Sequence, residues 1–419
     1  AEAADAYEQA RQLGFDQPDV YRNRAEALLD SGDIEAALAC ADAGVERFPG
    51  HPLLQRTAAQ LSFSSGAQRD HLEKLRAAVR QEPRNPALWQ TLIQLMKRLG
   101  QESGVEKTLL EAERMGCPDT PNLQVLGALD MAQRGQEGMA LDRLQQISEA
   151  SPDDSYVQHY FAMQLLRCQE AERAEQLCRE WLLKSPHDQT LLAYRGTALQ
   201  LLGDSREDWL LDYDRMVVPV EVPAPPEFSS REAYFQELTR VLEGLHHSNA
   251  QPIEQSVRGG TQTNGFLFRL KQQLLRGLET QLQLAIAGVL QNLPTDEDHP
   301  FWSRNSRPQR ASDLRMAGAW SVRLRDQGYH ANHIHPEGWI SSALYISLPN
   351  EVQQGEGTEG HIQFGRPMQE LGLDLAPRRI VKPVVGTLVL FPSYMWHGTL
   401  PFHSDQSRIT VAFDLLPGA

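Results

Sequence analysis

The sequence predicts a multidomain α + β protein, in which an N-terminal α-solenoid of helical hairpins is followed by a C-terminal β domain. Three observations predict this arrangement. Prolines recur every 34 or 35 residues through the first half, a Pro-rich stretch follows at 217–228, and apolar and polar residues alternate from Ala319 onward. A chain of 419 residues also exceeds what one hydrophobic core usually supports, so two domains are expected.

The N-terminal part, residues 1–216, has the 34-residue period of tetratricopeptide repeats. Small residues recur where paired helices must approach closely, as at Ala25, Ala37 and Gly44. Residues 1–15 match the second helix of a preceding repeat, so we expect the sequence to start in mid-repeat. Such solenoids most often bind a peptide or protein. The two proline series with this period are Pro18, Pro52, Pro86 and Pro121, and Pro49, Pro83, Pro118, Pro152 and Pro186.

The stretch 217–228 reads VVPVEVPAPPEF, and its prolines favour an extended linker over a helix. We therefore predict a second domain at 229–419, with a helical lead-in at 229–318 and a β core at 319–419. Ser229 and Glu232 have the spacing of a capping box, which predicts a helix through about His247. A second helix is predicted from Lys271 to Leu293.

Two histidine-containing stretches of the β core predict a metal site. His333 and His335 lie two residues apart, as do His335 and Glu337, so each pair shares one face of a strand. His397 follows about sixty residues later, and Arg408 lies eleven residues beyond it. Two histidines and a third ligand, with open positions left on the metal, are typical of non-haem Fe(II) oxygenases.

Roughly the last 170 residues resemble the Fe(II)- and 2-oxoglutarate-dependent oxygenases, whose core is a double-stranded β-helix of the jelly-roll or cupin-like type. The similarity lies in HIHP at 333–336, in FPSYMWH at 391–397 and in RIT at 408–410, and it is closest to a bacterial branch with an HxHP motif. The resemblance implies that the iron ligands are His333, His335 and His397. It also implies that Arg408 pairs with the distal carboxylate of 2-oxoglutarate and that Thr410 is a hydroxyl partner of that carboxylate.

One position departs from the usual pattern of that superfamily. Most members have a carboxylate two residues after the first histidine, whereas this chain has His335 there. Either three imidazoles hold the metal, which we favour, or Glu337 replaces His333 as the third ligand. Arg323, in the predicted strand WSVRLR, is expected to face the cavity and contribute to cofactor binding. The other histidines of the β core, His330, His361 and His403, are expected to be solvated.

The resemblance implies a 2-oxoglutarate-dependent dioxygenase, a hydroxylase that uses Fe(II), 2-oxoglutarate and O2, with ascorbate as an optional reductant. Joined to a peptide-binding solenoid, this core suggests hydroxylation of a protein or peptide side chain. Two alternatives stay open. The chain could be an oxygenase that tailors a small molecule or carrier-bound intermediate, or a scaffold that holds metal without turnover.

Charge and hydropathy argue against other classes of partner. The formal net charge of -15 disfavours a broad nucleic-acid-binding surface. No stretch is long and apolar enough to span a membrane, and the first residues lack the apolar core of a signal peptide, so a cytoplasmic protein is expected. The four cysteines show no CxxC spacing, which disfavours a zinc site or a disulfide framework.

Overall fold

The computed structural model of the chain describes residues 2–66, 70–246, 255–307 and 313–418. They form two compact units, whose main parts are Ala1–Gln164 (the first unit) and Leu165–His247 with Ser256–Ala419 (the second unit). The first unit is helical, and the second combines helices with two antiparallel sheets. A solenoid of paired helices followed by a β domain is the fold class that the sequence predicts.

The first helix of each repeat begins where the 34-residue period places it, at residues 18, 52, 86, 121 and 155. The helices that start at a proline use its fixed φ and missing N–H in the first turn, where both are tolerated. A Cβ added to Gly44 would lie 2.7 Å from the Cβ of Tyr21 in the preceding helix, so the position predicted to be small has no room for a side chain. The helices are α1 (Glu2–Gln12), α2 (Pro18–Asp30), α3 (Ile34–Arg47), α4 (Pro52–Ser64), α5 (Glu73–Gln81), α6 (Pro86–Arg98), α7 (Val105–Arg114), α8 (Pro121–Gln133), α9 (Glu137–Ala150) and α10 (Ser155–Arg167).

Within the described residues of the second unit, seven further α-helices follow. The capping residue of the predicted helix at 229 is Ser230, whose side chain accepts from the N–H of Ala233, and the predicted end at His247 lies outside the described residues. Within the described ranges, no helix is both long and apolar enough to cross a membrane. The helices are α11 (Ala171–Leu182), α12 (Gln189–Leu202), α13 (Arg206–Leu210), α14 (Tyr213–Met216), α15 (Arg231–Glu243), α16 (Gln273–Asn292) and α17 (Asn350–Gln354).

Two antiparallel sheets form the β part of the second unit. The strands are β1 (Val218–Glu221), β2 (Val257–Gln262), β3 (Arg315–His330), β4 (Ile340–Ser347), β5 (Ile362–Phe364), β6 (Arg379–Val381), β7 (Thr387–Pro392), β8 (His397–Thr399) and β9 (Arg408–Leu416). The larger sheet has the order β1-β7-β4-β9-β3-β2 and the smaller one β6-β5-β8. This arrangement is compatible with the predicted jelly-roll type of core, and it places β9 in the interior of the larger sheet.

The structure differs from the predicted organisation in three places. Residues of the predicted linker form β1, which pairs with β7 through Val218 opposite Leu390. Pro219 is tolerated there because β1 is an edge strand of the sheet. Strand β2 lies inside the predicted helical lead-in and pairs with β3. Helices α11–α14, predicted to belong to the solenoid, group with the sheets in the second unit. The prolines of 217–228 predict extended backbone, but they do not predict that part of it pairs with the edge of a sheet.

Candidate metal centre

Three histidines converge where the two sheets come together. His333 follows β3 and His397 opens β8, and their backbones exchange hydrogen bonds of 2.9 and 3.1 Å. The backbone N–H of His335 donates to the carbonyl of Ser393 at 2.9 Å. The imidazole nitrogens of all three residues that could bind one metal ion lie within 4.8 Å of one another, and no other such group of three occurs in the described part of the chain. Backbone pairing therefore brings together residues about sixty positions apart.

Each of the three imidazoles is oriented by a hydrogen bond from its Nδ1. The acceptors are the carbonyl of Ala331 at 2.8 Å for His333, the carboxylate of Asp414 at 2.7 Å for His335 and the carbonyl of Met395 at 3.0 Å for His397. Because these acceptors carry no proton, each Nδ1 must be the donor, and each neutral ring then leaves a lone pair on Nε2.

The Nε2 atoms of His333 and His335 lie only 3.1 Å apart. Two lone pairs at this distance repel each other unless a cation lies between them. Imidazole nitrogens bind transition metals at about 2.1 Å, so two ligands at a right angle lie about 3 Å apart. The separation therefore fits two ligands of one metal ion.

Burial favours the neutral form of two of these rings, those of His333 and His397. Burial, reinforced by His335, lowers the pKa of His333 to about 3. Burial also lowers the pKa of His397 and His330 well below the usual value. Neutral imidazole is the form that binds metal, so His333 and His397 are in the binding form at neutral pH.

A buried carboxylate missing from the sequence prediction, Asp414, supports His335. One of its oxygens accepts from His335, and the other accepts from the hydroxyl of Ser341 at 2.7 Å. Asp414 lies on β9 on the same face as Arg408 and Thr410, because residues two apart in a strand share a face. Asp414 could have been identified from the sequence, because it is a lone carboxylate in an apolar strand and alternates in step with Arg408 and Thr410.

Arg408 begins β9 and is almost fully buried, with 2% of its surface exposed. Its guanidinium lies 5.3 Å from the centre of the Tyr345 ring, and its Nε has no hydrogen-bond partner among the described residues. Burial lowers the pKa of Arg408, and no carboxylate in the described ranges offsets its charge. Thr410, also buried, lies opposite Tyr345 on β4. An isolated buried cation is costly, so this position is suited to an anionic ligand.

Arg323 does not join this group. It lies opposite Ile409, and residues directly opposite in an antiparallel pair share a face, so Arg323 is on the other face of the sheet from Arg408. Its Nε donates to the hydroxyl of Ser407 at 3.2 Å. The alternation of WSVRLR predicts two faces, and the face towards the site carries Trp320 instead of Arg323. The Trp320 ring stacks on His335 with 5.7 Å between centres.

The other predicted residues are placed as follows. Glu337 is exposed and lies outside the group of potential ligands, so the structure offers three imidazoles without it. His330, expected to be solvated, is half-buried beside the cluster, where the hydroxyl of Ser256 lies 3.0 Å from His330 Nδ1 and 3.2 Å from His333 Nε2. His361 is buried, whereas His403 is exposed and lies 3.3 Å from the carboxylate of Asp326.

Residues 318–414 match the protein family described as "Putative 2OG-Fe(II) oxygenase". The chain thus combines tetratricopeptide repeats with a 2OG-Fe(II) oxygenase domain. All three clustered histidines, together with Arg408 and Asp414, lie within this oxygenase domain. Three imidazoles with open positions beside them suit iron, and a guanidinium without a carboxylate partner suits a dicarboxylate such as 2-oxoglutarate. The residues present therefore fit both groups that the family implies.

Similar solved structures include repeat proteins and an oxygenase. A thermophilic TPR protein from Thermus thermophilus is 20% identical over 44% of this chain and 100% of its own, with a TM-score of 0.34. A tetratricopeptide repeat protein from Parabacteroides merdae is 15% identical over 47% and 77%, with a TM-score of 0.35. A Pseudomonas putida prolyl-4-hydroxylase is 14% identical over 50% and 98%, with a TM-score of 0.32. No curated protein matches the chain.

Proposed function

We propose that the chain is an Fe(II)- and 2-oxoglutarate-dependent dioxygenase that hydroxylates a side chain of a protein or peptide. The observation that best supports the oxygenase is that a histidine cluster and a buried arginine occur in the same domain. Three Nε2 atoms face a common point, and a buried guanidinium in the same oxygenase domain lacks an anionic partner. Neither feature stabilises the chain by itself. The three histidines suit Fe(II), and the guanidinium suits 2-oxoglutarate.

In this proposal the metal ligands are His333, His335 and His397. Each ring is fixed before metal binds, because its Nδ1 is already bonded to a carbonyl or carboxylate oxygen. Bound Fe(II) and 2-oxoglutarate supply the chemistry, in which one oxygen atom of O2 enters succinate, with release of CO2, and the other enters a substrate C–H bond. Ascorbate would act only as an auxiliary reductant that extends the number of turnovers.

Arg408 binds the distal carboxylate of 2-oxoglutarate. A guanidinium offers two parallel N–H donors to a carboxylate, and such charge-assisted pairs are stronger than neutral hydrogen bonds. Thr410 has its side chain on the same face of β9, two residues along, and adds a hydroxyl donor. Binding thus removes the cost of an isolated buried charge and orients the ligand from its far end.

The test compares Arg408→Ala with Arg323→Ala. These arginines lie close together on neighbouring strands but on opposite faces of the sheet. Removing one partner of a buried charge pair costs about 2–5 kcal/mol, so Arg408→Ala should weaken 2-oxoglutarate binding about 30-fold or more. We expect Arg323→Ala to bind as the unchanged chain does. The measurements are anaerobic titration with 2-oxoglutarate and succinate release in air, and equal behaviour of the two variants would rule out the assigned role.

The peptide substrate is suggested by three amide side chains and one guanidinium on the first helices of successive repeats. Arg56 on α4 donates to Gln94 on α6 at 2.5 Å, and Asn122 on α8 donates to Gln90 on α6 at 3.3 Å. All four side chains are partly exposed. Amide groups match the alternating N–H and C=O of an extended peptide, so this row is suited to binding a main chain.

The substrate class is tested by a search for added oxygen in proteins that co-purify with the chain, with and without Fe(II) and 2-oxoglutarate. We expect a peptide that gains one oxygen atom, and a higher KM for that peptide in the double variant Gln94→Ala and Asn122→Ala. Affinity for 2-oxoglutarate should stay unchanged in this variant. Hydroxylation of a small metabolite, with no modified protein, would contradict the peptide substrate while leaving the oxygenase in place.

A further inference from the structure

The connection between β7 and β8 has two faces with different partners. Ser393 and Met395 support the metal centre, since the carbonyl of Ser393 accepts from the N–H of His335 and the carbonyl of Met395 orients His397. The residues between them have buried aromatic side chains that bond to helices. Tyr394 donates its hydroxyl to the carbonyl of Leu210 in α13 at 2.8 Å, and Trp396 donates its indole N–H to the hydroxyl of Thr197 in α12 at 2.9 Å.

The helix side of this contact is buried and closely packed. Thr197 is 1% exposed, and its hydroxyl donates to the carbonyl of Ala193 one turn earlier at 3.0 Å, which leaves a lone pair for the indole. The neighbouring Gly196 is close-packed, because a Cβ there would lie 2.5 Å from Leu211. The Tyr194 ring also lies 6.0 Å from the Trp396 ring. A helix of the repeat type therefore holds the residue that precedes His397.

We propose that Thr197 is a positioning residue for the metal centre, acting through Trp396 on His397. This inference rests on the proposed function in taking His397 as a metal ligand. Without the hydroxyl, the indole N–H is buried and unpaired, which costs free energy and drives the connection to shift. Any such shift moves the carbonyl of Met395 and the backbone of His397, so the orientation of the ligand changes. The last repeat helices are then part of the scaffold of the oxygenase.

The decisive variant is Thr197→Val, which removes the hydroxyl at nearly constant volume. Loss of a partner behind a metal ligand typically lowers metal affinity about 10–100-fold, and we expect about tenfold here because Thr197 acts through one further residue. The matched control is Thr91→Val in α6 of the first unit. Thr91 is also buried and makes the same local bond, to the carbonyl of Ala87 at 2.8 Å, but no indole donates to it in the described structure.

Affinity is measured by anaerobic titration of the full chain with Fe(II), and the visible spectrum of the Co(II)-loaded chain reports the ligand geometry. We expect weaker binding and a changed spectrum for Thr197→Val, and neither change for Thr91→Val. Thr197→Ser, which keeps the hydroxyl, should retain affinity. In a Trp396→Phe background, which lacks the indole donor, Thr197→Val should add little, since coupled residues are non-additive.

The outcomes distinguish failure of the proposed function from failure of the role of Thr197. If the unchanged chain takes up no Fe(II), the proposed function fails and the role of Thr197 fails with it. If it binds Fe(II), and Thr197→Val and Thr91→Val bind alike, only the role of Thr197 is overturned. Full additivity of Thr197→Val and Trp396→Phe would also overturn it. Should Thr197→Val not fold, loss of affinity in Trp396→Phe with retention in Thr197→Ser supports the proposal, and unchanged affinity in Trp396→Phe contradicts it.

Discussion

The two units of the chain satisfy their buried polar groups in different ways. In the first unit, Thr91 and Thr108 both donate to carbonyls four residues earlier on the same helix segment. In the second unit, Ser341 donates to Asp414, 73 residues away, and Trp396 donates to Thr197, 199 residues away. Local bonds make each repeat an independent element that adds stability. Long-range bonds instead specify one arrangement of distant segments, and a metal centre requires such an arrangement.

Of the substitutions that test this difference between the two units, His335→Ala should have the largest effect on Fe(II) binding. It leaves two imidazoles and removes the ring that Asp414 supports, so we expect no measurable Fe(II) uptake in an anaerobic titration. The control is His71→Ala in the first unit, where His71 bonds to the hydroxyl of Ser62. That variant should bind Fe(II) as the unchanged chain does. Retained uptake by His335→Ala would show that the metal is bound elsewhere.

A smaller effect is expected for Asp414→Asn. The variant keeps the shape of the side chain but removes the negative charge behind His335, and losses of this kind lower metal affinity about 10–100-fold. The matching change in the first unit is Asp130→Asn in α8, which removes a buried carboxylate paired with Arg134 at 3.0 Å. Both variants should lose thermal stability, but only Asp414→Asn should lose Fe(II) affinity. Equal Fe(II) affinity in the two would contradict a supporting role for Asp414.

Glycine substitutions in the repeats should not affect Fe(II) binding at the metal centre. Gly44→Ala places a Cβ 2.7 Å from Tyr21, and overpacking of this kind lowers the free energy of unfolding by about 1–3 kcal/mol. Gly127→Ala meets only Leu109, at 3.8 Å, and should raise the free energy of unfolding by about 0.5–1 kcal/mol, since alanine favours helix. Denaturant unfolding measures both, and Fe(II) titration should show no difference between them. A weaker Fe(II) affinity in Gly44→Ala would show that the two units are coupled.

The same contrast explains what the sequence could reveal. Periodicity predicted the repeat helices because the same local constraints recur, and it located Pro18, Pro52, Pro86 and Pro121 at helix starts. The motifs identified His333, His335 and His397, but the strand alternation expected for His333 and His335 was wrong, because both lie in the connection between β3 and β4. These predictions depend on residues close in sequence or on a pattern that repeats.

Other features depend on pairings between distant segments, and the sequence did not reveal them. The face to which Arg323 belongs is decided by its register with Ile409, and a strand's own alternation cannot say which face meets the site. The role of Asp414, on β9, depends on the connection between β3 and β4, which places His335 beside it. The pairing of Val218 with Leu390 likewise needs both segments to be folded.

Strand β1 and helices α12 and α13 together determine where the oxygenase part of this chain can be cut. A catalytic fragment excised at the Pro-rich boundary, from 229 onward, would lose β1 and leave the N–H and C=O groups of β7 open on one side. Such an open edge is a template for strand addition between molecules. The same cut strips the partners from the buried side chains of Tyr394 and Trp396. The fragment would therefore be prone to aggregation, and a self-sufficient oxygenase must retain the sequence from before α12.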